Sequence, residues 1–336
     1  TSIRSVDRPP TILSNMAFRQ SPAWIAATAS ICRGDETPDD LPSLRQALRL
    51  FMRRRKFDVV VTMGPRPSLV YGLVCAVLRI PSKQILTEVF LDAARPDSVG
   101  WRFKTALFRF VARRALGILT NSSAEVGLIA RRFGLPEDRL RFVPMHTTIA
   151  EPQAVAENDG SVLSIGRTLR DLDALVAAAR QVAAPFVVVA GAADRLPEPL
   201  PANVRVLRDV PLAESHALLR RAAVVAIPLL PAERSTGQVV LFEAMALGKP
   251  VVATRAVGTA DYMRDGENGL LVEPGDAGAL ANAVERLLRN PDVAKRLAAA
   301  ALADCRARWL PDIHAQAKIA AIRELWLQSR PAANSA

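Results

Sequence analysis

Cysteine, histidine and aromatic residues are all scarce in this 336-residue chain. The three cysteines, Cys32, Cys75 and Cys305, are odd in number and far apart. That pattern excludes a disulfide framework and a zinc site. Aromatic residues are 5% of the chain, and no basic strand or helix is interleaved with them, which argues against nucleic acid as a partner. The longest uncharged apolar run, residues 68–78, is too short to span a bilayer. No secretory leader is legible at a start that opens on Thr1 rather than methionine. A reducing cytoplasm fits these absences.

What is present suits a globular protein. Half of the residues are hydrophobic, and the length allows two domains with a core in each. The formal charge of +11 is unevenly placed: residues 1–150 hold 23 Lys and Arg against 12 Asp and Glu, whereas residues 151–336 hold 21 of each. Arginine as a coding habit would load both halves alike. The asymmetry predicts a polyanionic partner for the first half alone, an anionic membrane surface or a phosphorylated acceptor once nucleic acid is set aside.

Segment 224–275 is the most informative. Residues 224–230 read as a buried strand, 231–238 as a polar loop, 239–246 as a helix stopped by Gly248, and 251–254 as a second buried strand. Such a βαβ unit binds anions where free backbone N–H groups meet the positive end of the helix. Ser235, Thr236 and Gly237 are small enough to admit a diphosphate to the backbone. Glu243, two turns into the helix, is placed to reach sugar hydroxyls.

The same alternation runs through the rest of the chain. Strands are predicted at 10–14, 58–63, 83–89, 117–121, 161–165, 186–190 and 204–207, and helices at 41–56, 68–79, 101–116, 171–182, 213–221 and 312–328. Parallel sheets with right-handed crossovers follow, so the fold class is α/β. In helix 41–56 the apolar face is Leu44, Leu48 and Phe51, with Arg45, Arg49 and Lys56 on another. In helix 101–116, Phe103, Leu107 and Phe110 are expected to pack inward opposite a stripe of Arg102, Arg109 and Arg113, without an exposed aromatic anchor. The polar stretch 150–160 reads as the linker. His146 and His216 carry no catalytic expectation, since a lone histidine is more often structural.

At this point the residues carry a family resemblance. EAMALGKPVVAT (243–254), GTADYMRDGENGLLVEPGD (258–276) and GALANAVERLLRN (278–290) resemble the donor half of retaining GT-B glycosyltransferases, the family 4-like group that includes sucrose synthase-like and lipopolysaccharide-sugar transferases. SVLSIGRTLR (161–170) is similar to the family's strand ending in Gly-Arg, followed by a second cation. LTNSSAEVGLIARRFGLPEDRLRFVP (119–144) is similar to the segment that closes the acceptor half. Three motifs in order are a specific signal where any one would be weak.

The resemblance implies two Rossmann-like doubly wound domains facing each other across a cleft. These are an acceptor-side domain, 1–150, with helix 312–330 packing back on it, and a nucleotide-sugar domain, 151–311. It also implies transfer of a sugar from a nucleotide diphosphate to a lipid-linked or cell-envelope glycan acceptor, with retention, no cofactor beyond the donor substrate, and no metal. The protein would then be cytoplasmic, peripheral on the inner face of the membrane. Arg167, after Gly166 at a strand end, and Arg170 would neutralise the leaving diphosphate. Ser235, Thr236, Gly237 and Gln238 would supply helix N-terminal contacts, and Glu243 would hold the ribose as the second acid of a Glu-x7-Glu pair. The first acid is replaced by Ser235, with Glu233 two residues away. Glu88 and Asp92 stand where many relatives have a histidine, as acceptor-orienting or basic groups. The loop 15–20 lacks the glycines that the family usually places there. Two other functions share the architecture: a nucleotide-sugar epimerase, disfavoured by the scarcity of histidine, and a non-catalytic nucleotide-sugar or nucleic-acid binder.

Overall fold

The computed structural model describes residues 8–16, 18–89 and 97–330. The chain forms two compact units, one running to Pro144 and resuming at Asp312, the other comprising Met145–Pro311.

The first unit is a six-stranded parallel sheet: β1 (Ile12–Ser14), β2 (Thr28–Ser30), β3 (Val59–Met63), β4 (Gln84–Thr87), β5 (Gly117–Thr120) and β6 (Leu140–Phe142), in the order β2-β1-β3-β4-β5-β6. Its helices are α1 (Pro22–Ala27), α2 (Ser43–Arg53), α3 (Pro65–Val77), α4 (Val99–Arg114) and α5 (Ser123–Phe133). Successive strand residues point to opposite faces, so each apolar strand feeds two cores. Ile12, Val59, Val61, Ile85 and Leu119 pack on one side with Trp24 and the chain's last helix, through Ile322, Leu325 and Trp326. On the other side Leu13 and Val60 meet Ala47, Leu50 and Tyr71, while Leu86 and Ile118 meet Phe108, Val111 and Phe133.

Two helix faces differ from the expectation. In α2 the buried residues are Gln46, Ala47 and Leu50, whereas Leu44 and Leu48 are exposed. The Gln46 amide decides this rotation: it donates to Pro38 O and Leu41 O and accepts from Asn15 Nδ2, bonds that only an inward Gln46 can make. In α4 the buried set is Thr105, Phe108, Val111 and Ala112, leaving Phe103 66% and Phe110 47% exposed.

The second unit has its own parallel sheet, β7 (Val162–Ile165), β8 (Phe186–Ala190), β9 (Val204–Arg208), β10 (Val224–Ile227), β11 (Val251–Thr254) and β12 (Leu270–Val272), in the order β12-β11-β10-β7-β8-β9. Helices α6 (Leu172–Ala179), α7 (Leu212–Arg221), α8 (Gln238–Ala246), α9 (Ala277–Arg289) and α10 (Pro291–Arg308) cover it. This is the doubly wound Rossmann order, with the winding reversing between β7 and β10. Helix α8 is buried all round apart from Val239. Gly248, at φ 63, ends it: the Gly248 and Lys249 N–H groups return to Met245 and Ala244. The final helix, α11 (Pro311–Gln328), lies in the first unit from Asp312 onward.

The stretch 150–160 is not a free linker. Val155 N donates to Leu247 O, Asp159 N to Arg221 O, and the buried Lys249 amine to Glu157 O. Residues 145–150, assigned to the first half by sequence, also lie in the second unit, where Thr147 N donates to Trp309 O. Polar side chains and the lack of periodicity made the segment read as a linker. Its backbone is instead satisfied by the second unit, and sequence polarity does not report that.

Candidate functional site

In open α/β sheets ligands bind beyond the carboxyl ends of the strands, where the winding reverses. In the second unit that point lies between the loops after β7 and β10. The two loops are tied together: Leu230 N donates to Leu169 O at 3.0 Å, Asp171 N to Pro228 O at 3.1 Å, and Thr236 Oγ1 to Thr168 O at 3.0 Å. Gly166, Arg167, Arg170, Ser235, Thr236, Gly237 and Gln238 all sit on these loops or at the first residue of α8.

Gly237 caps α8 in the left-handed region, at φ 80. Its lack of a side chain matters as well, because a Cβ there would press on Ile227 and Leu229. Ser235, Thr236 and Gln238 are buried. The loop after β11 braces them: at Gly258 a Cβ would come within 2.1 Å of Thr236 O, so only glycine lets these two backbones meet.

The two arginines meet opposite environments. Arg167 projects into solvent, with Asp209 3.6 Å from its guanidinium and both side chains more than half exposed. Such an exposed pair holds it weakly. Arg170 folds back over Gly166, donating from Nε and Nη2 to Ile165 O and from Nη1 to Thr168 O. Gly166, at φ 131, makes room, since a Cβ there would lie 2.1 Å from Arg170 Nη2. Burial lowers the Arg170 pKa to about 10, so it stays charged at neutral pH. Among the described residues it makes no ion pair: carbonyl dipoles hold the cation, and no carboxylate neutralises it. A half-buried cation held by carbonyls alone keeps its positive potential at this point of the sheet. Asp171 and Asp173 are not its partners; Asp171 caps α6 by accepting from Ala174 N, and Asp173 lies in that helix's first turn.

Glu243 projects from α8 with its side chain 6% exposed. Its Oε1 accepts from Thr148 Oγ1 at 2.6 Å and lies 3.2 Å from His216 Nε2 on α7. Neither neighbour was expected. They stand 95 and 27 residues away in sequence, and no local pattern links them to Glu243. Glu233 is exposed.

The remaining candidates belong to the first unit. Glu88 follows β4, half-buried in the left-handed region at φ 55, beside Thr87, whose buried hydroxyl has no hydrogen-bond partner among the described residues. The fully buried amine of Lys318 on α11 has its pKa lowered by burial, against the opposing pull of the Glu88 carboxylate. Asp92 lies outside the described residues. In place of a glycine-rich turn after β1, the Asn15 side chain bridges to Met63, donating to its O at 3.0 Å and accepting from its N at 2.7 Å. Among the described residues no three His, Cys, Asp or Glu side chains are grouped so as to hold a metal ion, and no helix is long and apolar enough to cross a membrane.

Comparison with known proteins follows the same division. A profile described as "Glycosyl transferase 4-like domain" matches residues 9–146, and one described as "Glycosyl transferases group 1" matches 159–290. The lipopolysaccharide core biosynthesis glycosyltransferase LpsE of Rhizobium meliloti is 43% identical over 77 residues, 23% of this chain and 22% of that protein. The phosphatidyl-myo-inositol mannosyltransferase of Mycobacterium leprae is 44% identical over 98 residues, 29% of this chain and 26% of that one. The chain thus spans about a quarter of the length of these curated relatives. Among solved structures, Anabaena HepE in complex with UDP-glucose aligns over 93% of this chain and 98% of its own, with a TM-score of 0.64 at 18% identity. That likeness concerns the fold. With both profiles matched in order and two parallel Rossmann-like sheets beneath them, the chain belongs to the group 1, 4-like family of glycosyltransferases, built on the GT-B fold.

Proposed function

We propose that the protein transfers a sugar from a nucleotide-diphosphate donor to an acceptor, with retention at the anomeric carbon and without a metal ion. The observation that carries this reading is the guanidinium of Arg170, half-buried and held by Ile165 and Thr168 carbonyls without a carboxylate among the described residues, at the switch point of the second unit. Breaking the bond to the anomeric carbon leaves negative charge on the diphosphate, and preorganised donors aimed at that charge lower the barrier. Arg170 supplies fixed positive potential, exposed Arg167 a mobile paired donor, and the N-terminus of α8 its backbone N–H groups. These replace the charge that a divalent ion would bring. Glu243 receives the nucleotide ribose. Retention rests on the family resemblance.

The acceptor is a lipid-linked or envelope glycan, reached with the first unit docked on an anionic membrane. The names of the lipopolysaccharide and phosphatidyl-inositol relatives support this, as do the basic first half and the apolar residues exposed on α2 and α4. Glu88 serves as the acceptor-orienting group. Ser235, at the position of the first acid, favours one other reading, a nucleotide-sugar binder that does not transfer. Incubation with UDP-, GDP-, ADP- and TDP-sugars and a membrane extract separates the possibilities. Release of free nucleoside diphosphate, undiminished by excess chelator, is expected. A sugar isomer, or binding without release, would replace transfer with epimerisation or plain binding. A strict need for magnesium or manganese would overturn the account of the leaving group.

A further inference from the structure

Glu243 is compensated in an uneven way. Its carboxylate projects from a buried helix, yet both of its hydrogen-bonding contacts fall on one oxygen, Oε1. Among the described residues Oε2 has no partner. Satisfying a buried carboxylate for stability alone would spread bonds over both oxygens, each of which has two acceptor sites. Here one oxygen is clamped and the other kept open. Terminal carboxylate torsions are broad wells, so two fixed donors on one oxygen are what set the plane and direction of the other. Thr148 supplies one donor from the segment entering the second unit, and His216 supplies the other from α7. A carboxylate oxygen accepts, so this contact places the imidazole proton on Nε2.

From this clamp we infer that His216 is a positioning residue of the nucleotide site: with Thr148 it holds Glu243 Oε1 so that Oε2 faces the paired hydroxyls of a ribose. The inference rests on the proposed nucleotide-sugar function and adds to it the residue that makes the site read ribose. His216 acts through Glu243 and touches no reacting atom. Its side chain is 31% exposed on a helix whose one buried residue is Leu219, so packing alone does not require an imidazole there.

The test is calorimetric titration with UDP and GDP and their 2′-deoxy and 3′-deoxy forms. Wild-type protein is compared with His216→Ala, His216→Gln and Glu243→Gln, together with donor KM and kcat. Wild type binds the ribo form more tightly than either deoxy form. His216→Ala loses about tenfold in affinity for the ribo form, the scale of one hydrogen bond to a charged group, and little for the deoxy forms, so discrimination collapses. Donor KM rises with kcat nearly unchanged. His216→Gln, whose amide also donates, restores much of the discrimination, which a general loss of folding would not allow. If His216→Ala keeps the wild-type ratio, or weakens ribo and deoxy forms equally, the positioning role is wrong while the nucleotide site stands. Wild-type binding of nucleoside diphosphates without discrimination would likewise remove the positioning role and leave the site. Absence of any nucleoside diphosphate binding would remove the nucleotide-sugar reading, and this inference with it.

Discussion

Arg167 and Arg170 are three positions apart, and their substitutions should separate catalysis from stability. Arg167 is exposed and weakly paired, so Arg167→Ala should shift stability by no more than about 0.5 kcal/mol. Its turnover should fall about 10²-fold, as for loss of a main donor to a developing oxyanion. Arg170→Ala should lower both, since the three bonds it makes to Ile165 and Thr168 carbonyls hold the loop that carries Arg167. Thermal melts beside initial rates of nucleotide release check both; near wild-type turnover in Arg167→Ala would remove the proposed site. The sequence places both arginines just after a strand, because Gly-Arg at a strand end is a local pattern and Arg170 follows three residues later. It does not show how their environments divide, one arginine exposed and the other folded back. That division comes from the backbone turn at Gly166, which brings the second guanidinium back over the first turn of the loop. Thr148 and His216 were equally illegible, because only the folded sheet brings α7 and the entering segment to α8.

At the scale of elements, the positions of the predicted helices hold, α1, α5 and α10 were not predicted, and the faces of α2 and α4 were misread. In α2 two stripes fit a helical period, Leu44-Leu48-Phe51 and Ala47-Leu50, and apolarity alone favours the wrong one. The choice is made by the Gln46 network and by Arg49, which pairs with Glu36 at 2.6 Å. Of the rejected stripe Phe51 is half-buried against the core, while Leu44 and Leu48 remain outside with Met52, exposed four residues apart beside exposed Arg45, Arg53 and Arg55. Helix α3 packs on α2 and on α4, and it ends in exposed Val77, while α4 adds exposed Val99, Phe103 and Phe110 beside exposed Arg102, Arg109 and Arg113. The proposed membrane docking would use these aromatic and aliphatic side chains as anchors among the arginines, each cation adding about 1 kcal/mol of attraction to anionic lipid. Vesicle sedimentation should show binding that needs anionic lipid and falls steeply with salt. Changing Arg53, Arg54 and Arg55 together to Glu should weaken it, and so should Phe103→Ser at unchanged charge. Equal pelleting with neutral vesicles, or none with either, sinks the proposal.

At the scale of the whole molecule, the first unit is assembled from two distant pieces of chain. Leu325 and Trp326 on α11 are buried against Ile12, Val59, Val61 and Leu119, and α11 runs so close to β5 that a Cβ at Gly117 would lie 2.7 Å from Leu325. Leu325→Ala should therefore cost about 2–5 kcal/mol, the range for a truncated core leucine. Two calorimetric transitions should show the loss confined to the one assigned to the first unit; an equal fall in both would mean that the units do not melt separately. The order of chain emergence from the ribosome acquires a meaning from the same arrangement. The second unit is contiguous and can close once Pro311 has emerged from the ribosome. The first must wait while Met145–Pro311 is synthesised, roughly ten to thirty seconds at about 5–20 residues per second. During that interval the apolar side of its sheet has no α11 to cover it. The half that begins first finishes last, and in the meantime a chaperone has a nascent surface to hold.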